Sequence, residues 1–305
     1  MKAGTNLEKI LESGRFAVTA EVGPPRGAAS SVIQRKGELL KPFCDALNVT
    51  DNQTAIVRMS SLSGCILLKQ LSVDPVMQMV CRDRNRIAIQ SDILGAVALG
   101  IGNILCLSGD YPSFGDHPTA KGVFDLDSVQ LIRVMRQMRD EQKFLSGEKI
   151  SGDIPVFIGA VANPFADPFD YRVLRLARKV KAGADFIQSQ AIFDVGKFAK
   201  WMGMVTDRGL DKQVHILAGV IPVRSVGMAR HMRDNVPGIS VLDDIVTRME
   251  DAKDTKGEGL EICLEIIEQI KEIPGIHGIH IMAVGWEDIV PTIVEKAGLL
   301  PRPLI

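Results

Sequence analysis

A single acidic residue, Glu21, ends an apolar run near the N-terminus, in the segment RFAVTAEVGPP (residues 15–25). A carboxyl group at the end of a buried strand can act as a general acid, because an apolar environment favours the protonated form of a carboxyl group. The simpler alternative is that Glu21 is the first solvated residue after the strand. The other polar residues that share its surroundings decide between these two interpretations.

Polar side chains also stand in or directly after five later apolar runs. These residues are Thr50 and Asp51, Gln78, Ser108 with Gly109 and Asp110, Asn163, and Gln190. A set of amides, hydroxyls and carboxylates suits a flat heterocycle with many donors and acceptors better than it suits a lone phosphate. Gly109 would let the backbone approach a ligand closely. Asp110 taken alone would be explained equally well by an Asx-turn.

Basic residues cluster further along the chain in RLARKVKAGADF (residues 175–186), at Arg175, Arg178 and Lys179. Such a run is usually a solvated helix face, but the first turns of a helix after a strand can also reach a phosphate. The two histidines of GIHGIH, His277 and His280, lack a well-placed third ligand, so we assign no metal site. The sequence contains no Walker A, HExxH, GxSxG or complete GxGxxG motif.

The elements that would position these residues are eight apolar runs of strand length, each followed by a segment with helical spacing. Most of the runs lack apolar/polar alternation, which indicates parallel strands buried on both faces. This pattern favours an α/β fold of the (β/α)8 barrel type rather than a doubly wound open sheet. Because the chain has no linker or low-complexity tract, we expect residues 1–305 to form a single domain. The runs span residues 16–22, 45–50, 75–80, 103–109, 155–162, 185–191, 215–223 and 278–284.

The composition of the chain limits the classes of molecule that it could bind. The chain has 36 Lys and Arg against 37 Asp and Glu, so no net field would attract nucleic acid. No stretch is long and apolar enough for a membrane span, and the N-terminus lacks the apolar core of a secretory signal. The five cysteines are scattered without a CxxC pair, which is typical of free thiols in a reducing cytoplasm. We therefore expect a soluble cytoplasmic protein that acts on a small molecule.

Five segments in this order give the chain a specific resemblance: Glu21 before Pro-Pro, LSGD (107–110), GAVANP (159–164), KAGADFIQSQAIFD (181–194) and AGVIPV (218–223). With them the chain resembles the methylenetetrahydrofolate reductase family from about Phe16 to about Trp286. The resemblance implies a barrel that carries a flavin at the carboxyl ends of its strands. It also implies reduction of 5,10-methylenetetrahydrofolate to 5-methyltetrahydrofolate by ping-pong hydride transfer.

The resemblance also implies roles for individual residues. Glu21 matches the catalytic acid that protonates the folate as its methylene bridge opens. Asp110 matches the aspartate that lies near the flavin and holds the pterin, and Gln190 matches a folate-binding glutamine. The flavin-contact positions, of which the last two lie close to the phosphates, are Thr50, Gln78, Ser108, Gly109, Asn163, Arg178 and Lys179.

Several positions depart from the family pattern. LSGD replaces LRGD, Gln78 replaces a histidine and Asn163 replaces a tyrosine. These changes affect contacts to the cofactor and the electron donor more than contacts to folate. Relatives that bind FAD tend to carry an acidic and an amide residue where this chain has Arg172 and Arg175. Two added cations favour the terminal phosphate of FMN over FAD, unless both side chains merely face solvent.

Three functions remain open at this point. The leading interpretation is a flavin-dependent reductase that takes electrons from NAD(P)H or from a partner subunit, as a homo-oligomer or within a larger complex. A second is a pterin-binding methyltransferase that passes a methyl group to a corrinoid partner and needs no flavin. The third, a flavin-free structural subunit, gives no reason to keep Glu21, Asp110 and Gln190 together.

Overall fold

The computed structural model describes residues 1–236 and 238–303, and its eight parallel strands close into a barrel in chain order. The predicted (β/α)8 barrel is therefore confirmed and the open-sheet alternative is wrong. The strands are β1 (Ala17–Val22), β2 (Ala46–Val49), β3 (Pro75–Val80), β4 (Asn103–Leu107), β5 (Phe157–Ala162), β6 (Phe186–Ala191), β7 (His215–Val220) and β8 (Gly278–Ile281).

Helices connect successive strands and surround the barrel. The described part of the connection between β7 and β8 contains three α-helices. The helices are α1 (Asn6–Glu12), α2 (Ser30–Leu40), α3 (Ser61–Gln70), α4 (Arg86–Ala98), α5 (Ser128–Arg136), α6 (Phe169–Ala182), α7 (Val195–Thr206), α8 (Val226–Asn235), α9 (Asp243–Asp251), α10 (Thr255–Lys271) and α11 (Val290–Lys296). No helix in these described ranges is both long and apolar enough to cross a membrane.

The helix after β4 is short and is followed by a different helical turn. Asp127 forms a capping box with Gln130, as an N-cap residue should. The α-helix ends at Arg136 and a π-helical turn follows over Gln137–Glu141. Gln142 then takes a left-handed backbone conformation with φ of 51°, which turns the chain out of the helix.

Both faces of the strands are buried, but against different partners. One set of alternate residues packs under the outer helices in the main core. The other set faces inward, where Phe157 and Phe186 stack with ring centroids 5.2 Å apart and join Leu7 and Ile10 of α1 in a second cluster. Helix α1 thus covers the amino end of the barrel interior, and the interior opens at the carboxyl ends of the strands.

Candidate active site

A cavity of about 490 Å³ opens at the carboxyl ends of the strands. Its volume is typical of small-molecule and cofactor sites. Ten of the twelve residues that the sequence analysis gave a catalytic or binding role line this cavity: Glu21, Gln78, Ser108, Gly109, Asp110, Asn163, Arg172, Arg175, Lys179 and Gln190. The fold therefore brings together residues that lie far apart along the chain.

Two of the twelve predicted residues do not line the cavity. Thr50 is buried just after β2, and its Oγ1 has no hydrogen-bond partner among the described residues. Arg178 is exposed; it donates a hydrogen bond of 3.0 Å to the hydroxyl of Tyr171, and its guanidinium carbon lies 5.6 Å from the centre of that ring. The helix phase of α6 thus turns Arg178 away from the cavity that Arg175 and Lys179 face.

Glu21 lies at the end of β1 above a buried polar layer that the sequence analysis did not predict. Asn48 and Gln188 pair through their amides: Asn48 Nδ2 donates to Gln188 Oε1 over 2.7 Å, and Gln188 Nε2 donates to Asn48 Oδ1 over 3.1 Å. Thr19 Oγ1 lies 2.9 Å from His280 Nδ1. All four side chains are buried in the barrel interior, directly below the cavity.

Two buried side chains contact one nitrogen of the His280 ring. Nδ1 lies 2.9 Å from Thr19 Oγ1 and 3.3 Å from Gln188 Nε2. The other ring nitrogen, Nε2, is 3.9 Å from Oε2 of Glu21. The side chain of Glu21 is 18% exposed, so the carboxyl faces the cavity on one side and the imidazole of His280 on the other.

A β-bulge shapes the part of the wall that carries Gln190. The register between β6 and β7 shifts after Gln188, so that three residues of β6 span a distance that two residues span on β7. Ser189 Oγ accepts a 2.8 Å hydrogen bond from the backbone N–H of Gly219 and so ties the bulge to β7. Gln188, Ser189 and Gln190 consequently all line the cavity.

Asp110 stands on the loop after β4 and is held by the loop after β2. Its Oδ2 accepts a 3.1 Å hydrogen bond from the backbone N–H of Thr54. The preceding Gly109 has φ of +89°, and a Cβ atom there would lie 3.1 Å from Cβ of both Val80 and Arg82. Glycine is therefore the residue that allows this turn to approach the end of β3 and aim Asp110 at the cavity.

Basic side chains of α6 form another part of the wall. Because β5 lies opposite β1 in an eight-stranded barrel, these groups face Glu21 across the mouth. Arg172 donates to the backbone carbonyls of Ala166 and Asp167, and Lys179 Nζ donates to the carbonyl of Val161 over 2.6 Å. Burial, followed by the nearby charge of Arg175, lowers the pKa of Lys179 from 10.5 to about 8. Arg175 is exposed to the cavity and makes no ion pair with other described residues.

Asn163 lines the cavity, but the oxygen of its side-chain amide is hydrogen-bonded within its own loop. Oδ1 accepts hydrogen bonds from the backbone N–H groups of Phe165 (3.1 Å) and Ala166 (3.2 Å). This Asx-type turn fixes the start of the connection to α6. The amide nitrogen of Asn163 packs against Gly238, where a Cβ atom would lie 1.8 Å from it.

The sequence analysis did not identify the polar residues inside the strands. Thr19, Asn48 and Gln188 each stand two residues before a residue that was singled out, and side chains two apart on a strand face the same way. Of these three residues, Gln188 lines the cavity. A polar residue at that spacing inside an apolar run could have indicated that these side chains face the barrel interior. Arg82 also lines the cavity with a side chain that is only 3% exposed, but nothing in its local sequence distinguishes it from its arginine neighbours.

Across residues 1–236 and 238–303, no group of three or more His, Cys, Asp or Glu side chains is arranged to hold a metal ion. Four of the five cysteines are buried, and all five are free thiols. Burial raises the pKa of Cys263 to about 12, so this thiol has little thiolate character. None of the cysteines lines the cavity.

Comparison with known proteins places the chain in a family. Residues 6–298 match the profile described as methylenetetrahydrofolate reductase. Methylenetetrahydrofolate reductase 2 of Schizosaccharomyces pombe is 27% identical over 99% of this chain, which spans 48% of that protein, about half its length. The 5,10-methylenetetrahydrofolate reductase of Salmonella typhimurium is 22% identical over 94% of this chain and 93% of its own.

A solved structure supports the fold independently. A protein from Clostridium thermocellum, described as binding two copies of 5-methyl-5,6,7,8-tetrahydrofolic acid, superposes with a TM-score of 0.69 over 97% of this chain and 100% of that one. Its sequence identity is 13%, so this similarity concerns the fold alone. The profile match covers nearly the whole barrel and includes every residue that lines the cavity. The chain belongs to the methylenetetrahydrofolate reductase family.

Proposed function

We propose that this protein reduces 5,10-methylenetetrahydrofolate to 5-methyltetrahydrofolate with the help of a bound flavin in a ping-pong cycle. The observation that carries the proposal is the meeting of Glu21, Asp110 and Gln190 in one cavity with a basic wall. A carboxyl acid, an acceptor for an amino group and an amide are what a reduced pterin ring requires. The basic wall suits a phosphate-bearing cofactor in the same cavity.

The residues present fit a flavin. Thr50 Oγ1 is buried without a partner among the described residues but does not line the cavity, so it is not placed to contact a flavin there. Gly109 keeps the turn after β4 free of a side chain where a flat ring would need close backbone approach. Gln78 and Ser108 add polar groups to the same wall, and Arg175 and Lys179 would hold the phosphate end. When bound, a flavin supplies the hydride for the reduction.

The chain's own residues would handle protons and orientation. Glu21 would donate a proton to the folate amine that is released as the imidazolidine ring opens, the step that creates the acceptor for hydride. The imidazole of His280 would then face the Glu21 carboxylate that this transfer leaves, with Nε2 3.9 Å from Oε2. Asp110 would accept hydrogen bonds from the pterin, and Gln190 would bind the folate from β6.

Within this proposal we favour FMN over FAD. Arg172 is held by two backbone carbonyls, so its charge stays at the cavity wall without an acidic partner among the described residues. Together with Arg175 and Lys179 it offers three cations to one end of the cavity. A terminal phosphate near its dianionic form suits such a cluster better than the internal pyrophosphate of FAD.

The proposal leaves two arrangements for the electrons, direct reduction by NAD(P)H or transfer from a partner subunit, and the chain would function as a homo-oligomer or in such a complex. The five free thiols fit a cytoplasmic location. No described contact favours the corrinoid-linked methyltransferase, so we do not develop it as a second function.

The test starts from freshly purified protein. A flavin spectrum, release of the flavin by heat and its identification by chromatography would establish the cofactor. Photoreduced protein mixed with 5,10-methylenetetrahydrofolate should then be reoxidised as 5-methyltetrahydrofolate forms. Recovery of stoichiometric FAD would overturn the FMN preference alone, whereas protein that neither binds added flavin nor reduces the folate would overturn the function.

A further inference from the structure

Arg82 is a buried arginine at the end of β3 that the proposed chemistry does not use. Its side chain is 3% exposed and lines the cavity. Nε and Nη2 form a bidentate pair with the carboxylate of Asp83, at 2.8 and 2.7 Å. A buried guanidinium has to satisfy its remaining donors, and where those donors point indicates what the residue holds.

The remaining donors of Arg82 bind two different loops. Nη2 donates to the backbone carbonyl of Asn52 over 3.1 Å, on the loop after β2. Nη1 donates to the backbone carbonyl of Asp110 over 3.3 Å, on the loop after β4. One side chain from the loop after β3 therefore joins the loops that follow the two neighbouring strands.

The loop after β2 needs such support. Asn52, Thr54 and Ala55 have φ of 44°, 57° and 56°, a left-handed conformation that is costly for residues with a Cβ atom and most of all for β-branched Thr54. Strained backbone of this kind persists only when its surroundings hold it. Nearby, a Cβ atom on Gly115 would lie 1.9 Å from the carbonyl oxygen of Ala55, so the two loops are also in close contact.

The strained segment supplies the hydrogen bond that orients Asp110. The N–H of Thr54 donates to Asp110 Oδ2, and Thr54 follows Asn52 by two residues. Arg82 is thus linked to Asp110 in two ways. It binds the backbone carbonyl of Asp110 directly, and it binds the carbonyl of Asn52, two residues before the N–H donor of the Asp110 carboxylate. Without the guanidinium, the segment could relax and the carboxylate would lose its donor.

We propose that Arg82 is a positioning residue for Asp110, which clamps the loops after β2 and β4 and so fixes the direction in which the Asp110 carboxylate faces the cavity. The part of this inference that concerns folate rests on the proposed function. The part that concerns the loops does not, since it follows from the contacts of Arg82 alone.

The experiment compares Arg82→Met and Arg82→Lys with Arg86→Met as the matched control. Arg86 lies four residues further along and forms an exposed bidentate pair with Asp125, away from the cavity. Each variant is made in the wild-type chain and in Asp110→Ala. Two quantities are measured on the flavin-loaded protein: the dissociation constant for 5-methyltetrahydrofolate by calorimetry, and amide hydrogen exchange at Thr54.

We expect Arg82→Met to weaken folate binding about tenfold in the wild-type chain and less than about twofold in Asp110→Ala, because a residue that acts through Asp110 has nothing left to position. Exchange at Thr54 should become faster. Arg82→Lys, which keeps the charge but cannot bind both carbonyls and the carboxylate, should fall between wild type and Arg82→Met. Arg86→Met should change neither quantity.

Two results would overturn the inference: an equal loss of folate affinity with and without the Asp110 side chain, or unchanged exchange at Thr54 in Arg82→Met. If Arg82→Met does not fold, Arg82→Lys gives the same comparison. If the wild-type protein binds no folate ligand, the proposed function fails, and exchange at Thr54 still decides whether Arg82 holds the loop.

Discussion

The Nε2 atom of His280 lies 3.9 Å from Oε2 of Glu21, on the inner face of the neighbouring strand. The opposite nitrogen of the ring is occupied by Thr19 and Gln188, so the imidazole cannot rotate without breaking buried hydrogen bonds. The imidazole is therefore a polar neighbour of Glu21 that is held in a fixed position, which suits a carboxyl group whose charge changes during a reaction better than mobile water would. The candidate acid is thus supported from below and open to the cavity above.

The first prediction concerns Glu21. Glu21→Gln should still bind flavin and be reduced by an artificial donor, because the amide has nearly the same shape. Folate reduction should fall at least about 100-fold, as expected when a general acid is removed. Stopped-flow absorbance separates the two half-reactions, and Glu12→Gln on the exposed side of α1 serves as the control. A near-normal rate of folate reduction would exclude Glu21 as the acid.

The second prediction concerns the amide pair between Asn48 and Gln188. Gln188→Leu would leave both polar groups of the Asn48 side chain without their partner in a site that is 0% exposed at Asn48. We expect the free energy of unfolding to drop by about 1–3 kcal/mol, the usual cost of an unsatisfied buried polar group. Urea denaturation of the apoprotein measures it. Replacing both residues by leucine should recover part of that loss, whereas a double variant worse than the sum of the single ones would contradict this account.

Much of the fold could be predicted from the sequence because a closed parallel barrel imposes a repeated pattern. Eight apolar runs separated by segments with helical spacing indicate strands buried on both faces, and the carboxyl ends of parallel strands in a barrel meet at the same mouth. The direction of Glu21, Gln78 and Gln190 follows from that rule. The rule does not extend to Arg178, because the direction of its side chain depends on how α6 is rotated about its axis. The sequence of α6 alone does not determine that rotation.

The support beneath and beside the site depends on contacts between distant segments. His280 is next to Glu21 only because β8 pairs with β1, and Arg82 reaches Asp110 only because the loops after β2 and β4 fold over β3. Neither relation leaves a motif in the sequence. The bulge in β6 is similar, since it shows only as a register shift against β7.

The third prediction concerns Asp110. Asp110→Asn removes a negative charge at the cavity while keeping an oxygen that can accept from the N–H of Thr54. With a flavin nearby, the reduced anionic form should become easier to reach, so the midpoint potential should rise. Binding of 5-methyltetrahydrofolate should weaken by about tenfold, the effect of losing a hydrogen bond to a charged group. Asp116→Asn, on the same loop but paired with Arg26, is the control. An unchanged potential together with unchanged folate affinity would place Asp110 outside the site.

The fourth prediction is a pH dependence that arises from Lys179. Its pKa in the folded protein is about 8, below the ordinary value of 10.5, chiefly because burial disfavours the charged ammonium group. Between these two values the unfolded chain binds more protons at this site than the folded one, so the free energy of unfolding should rise with pH across this window. Below pH 8 both states are protonated and the cost of burying the charge is fully present.

The size of that change is limited by the shift itself, up to about 3 kcal/mol. Urea denaturation of the apoprotein from pH 7 to 10.5 should therefore show a rising contribution that Lys179→Met removes and that Lys181→Met, on the exposed face of α6, retains. If the two variants show the same dependence on pH, Lys179 is not the group that titrates.

The last prediction compares two arginines on α6 that differ in direction. Arg175 lines the cavity, whereas Arg178 packs on Tyr171 outside it. If Arg175 binds the phosphate of the cofactor, Arg175→Glu replaces an attraction by a repulsion and should weaken flavin binding at least about tenfold, with FMN affected more than FAD because its terminal phosphate carries more charge. Arg178→Glu makes the same change in net charge three residues away and should alter affinity less than about twofold, since an exposed charge is screened. Fluorescence titration of the wild-type, Arg175→Glu and Arg178→Glu apoproteins with each flavin gives the six dissociation constants. Equal losses in the two variants would mean that only net charge matters, and the basic wall would then have no specific role in holding the cofactor.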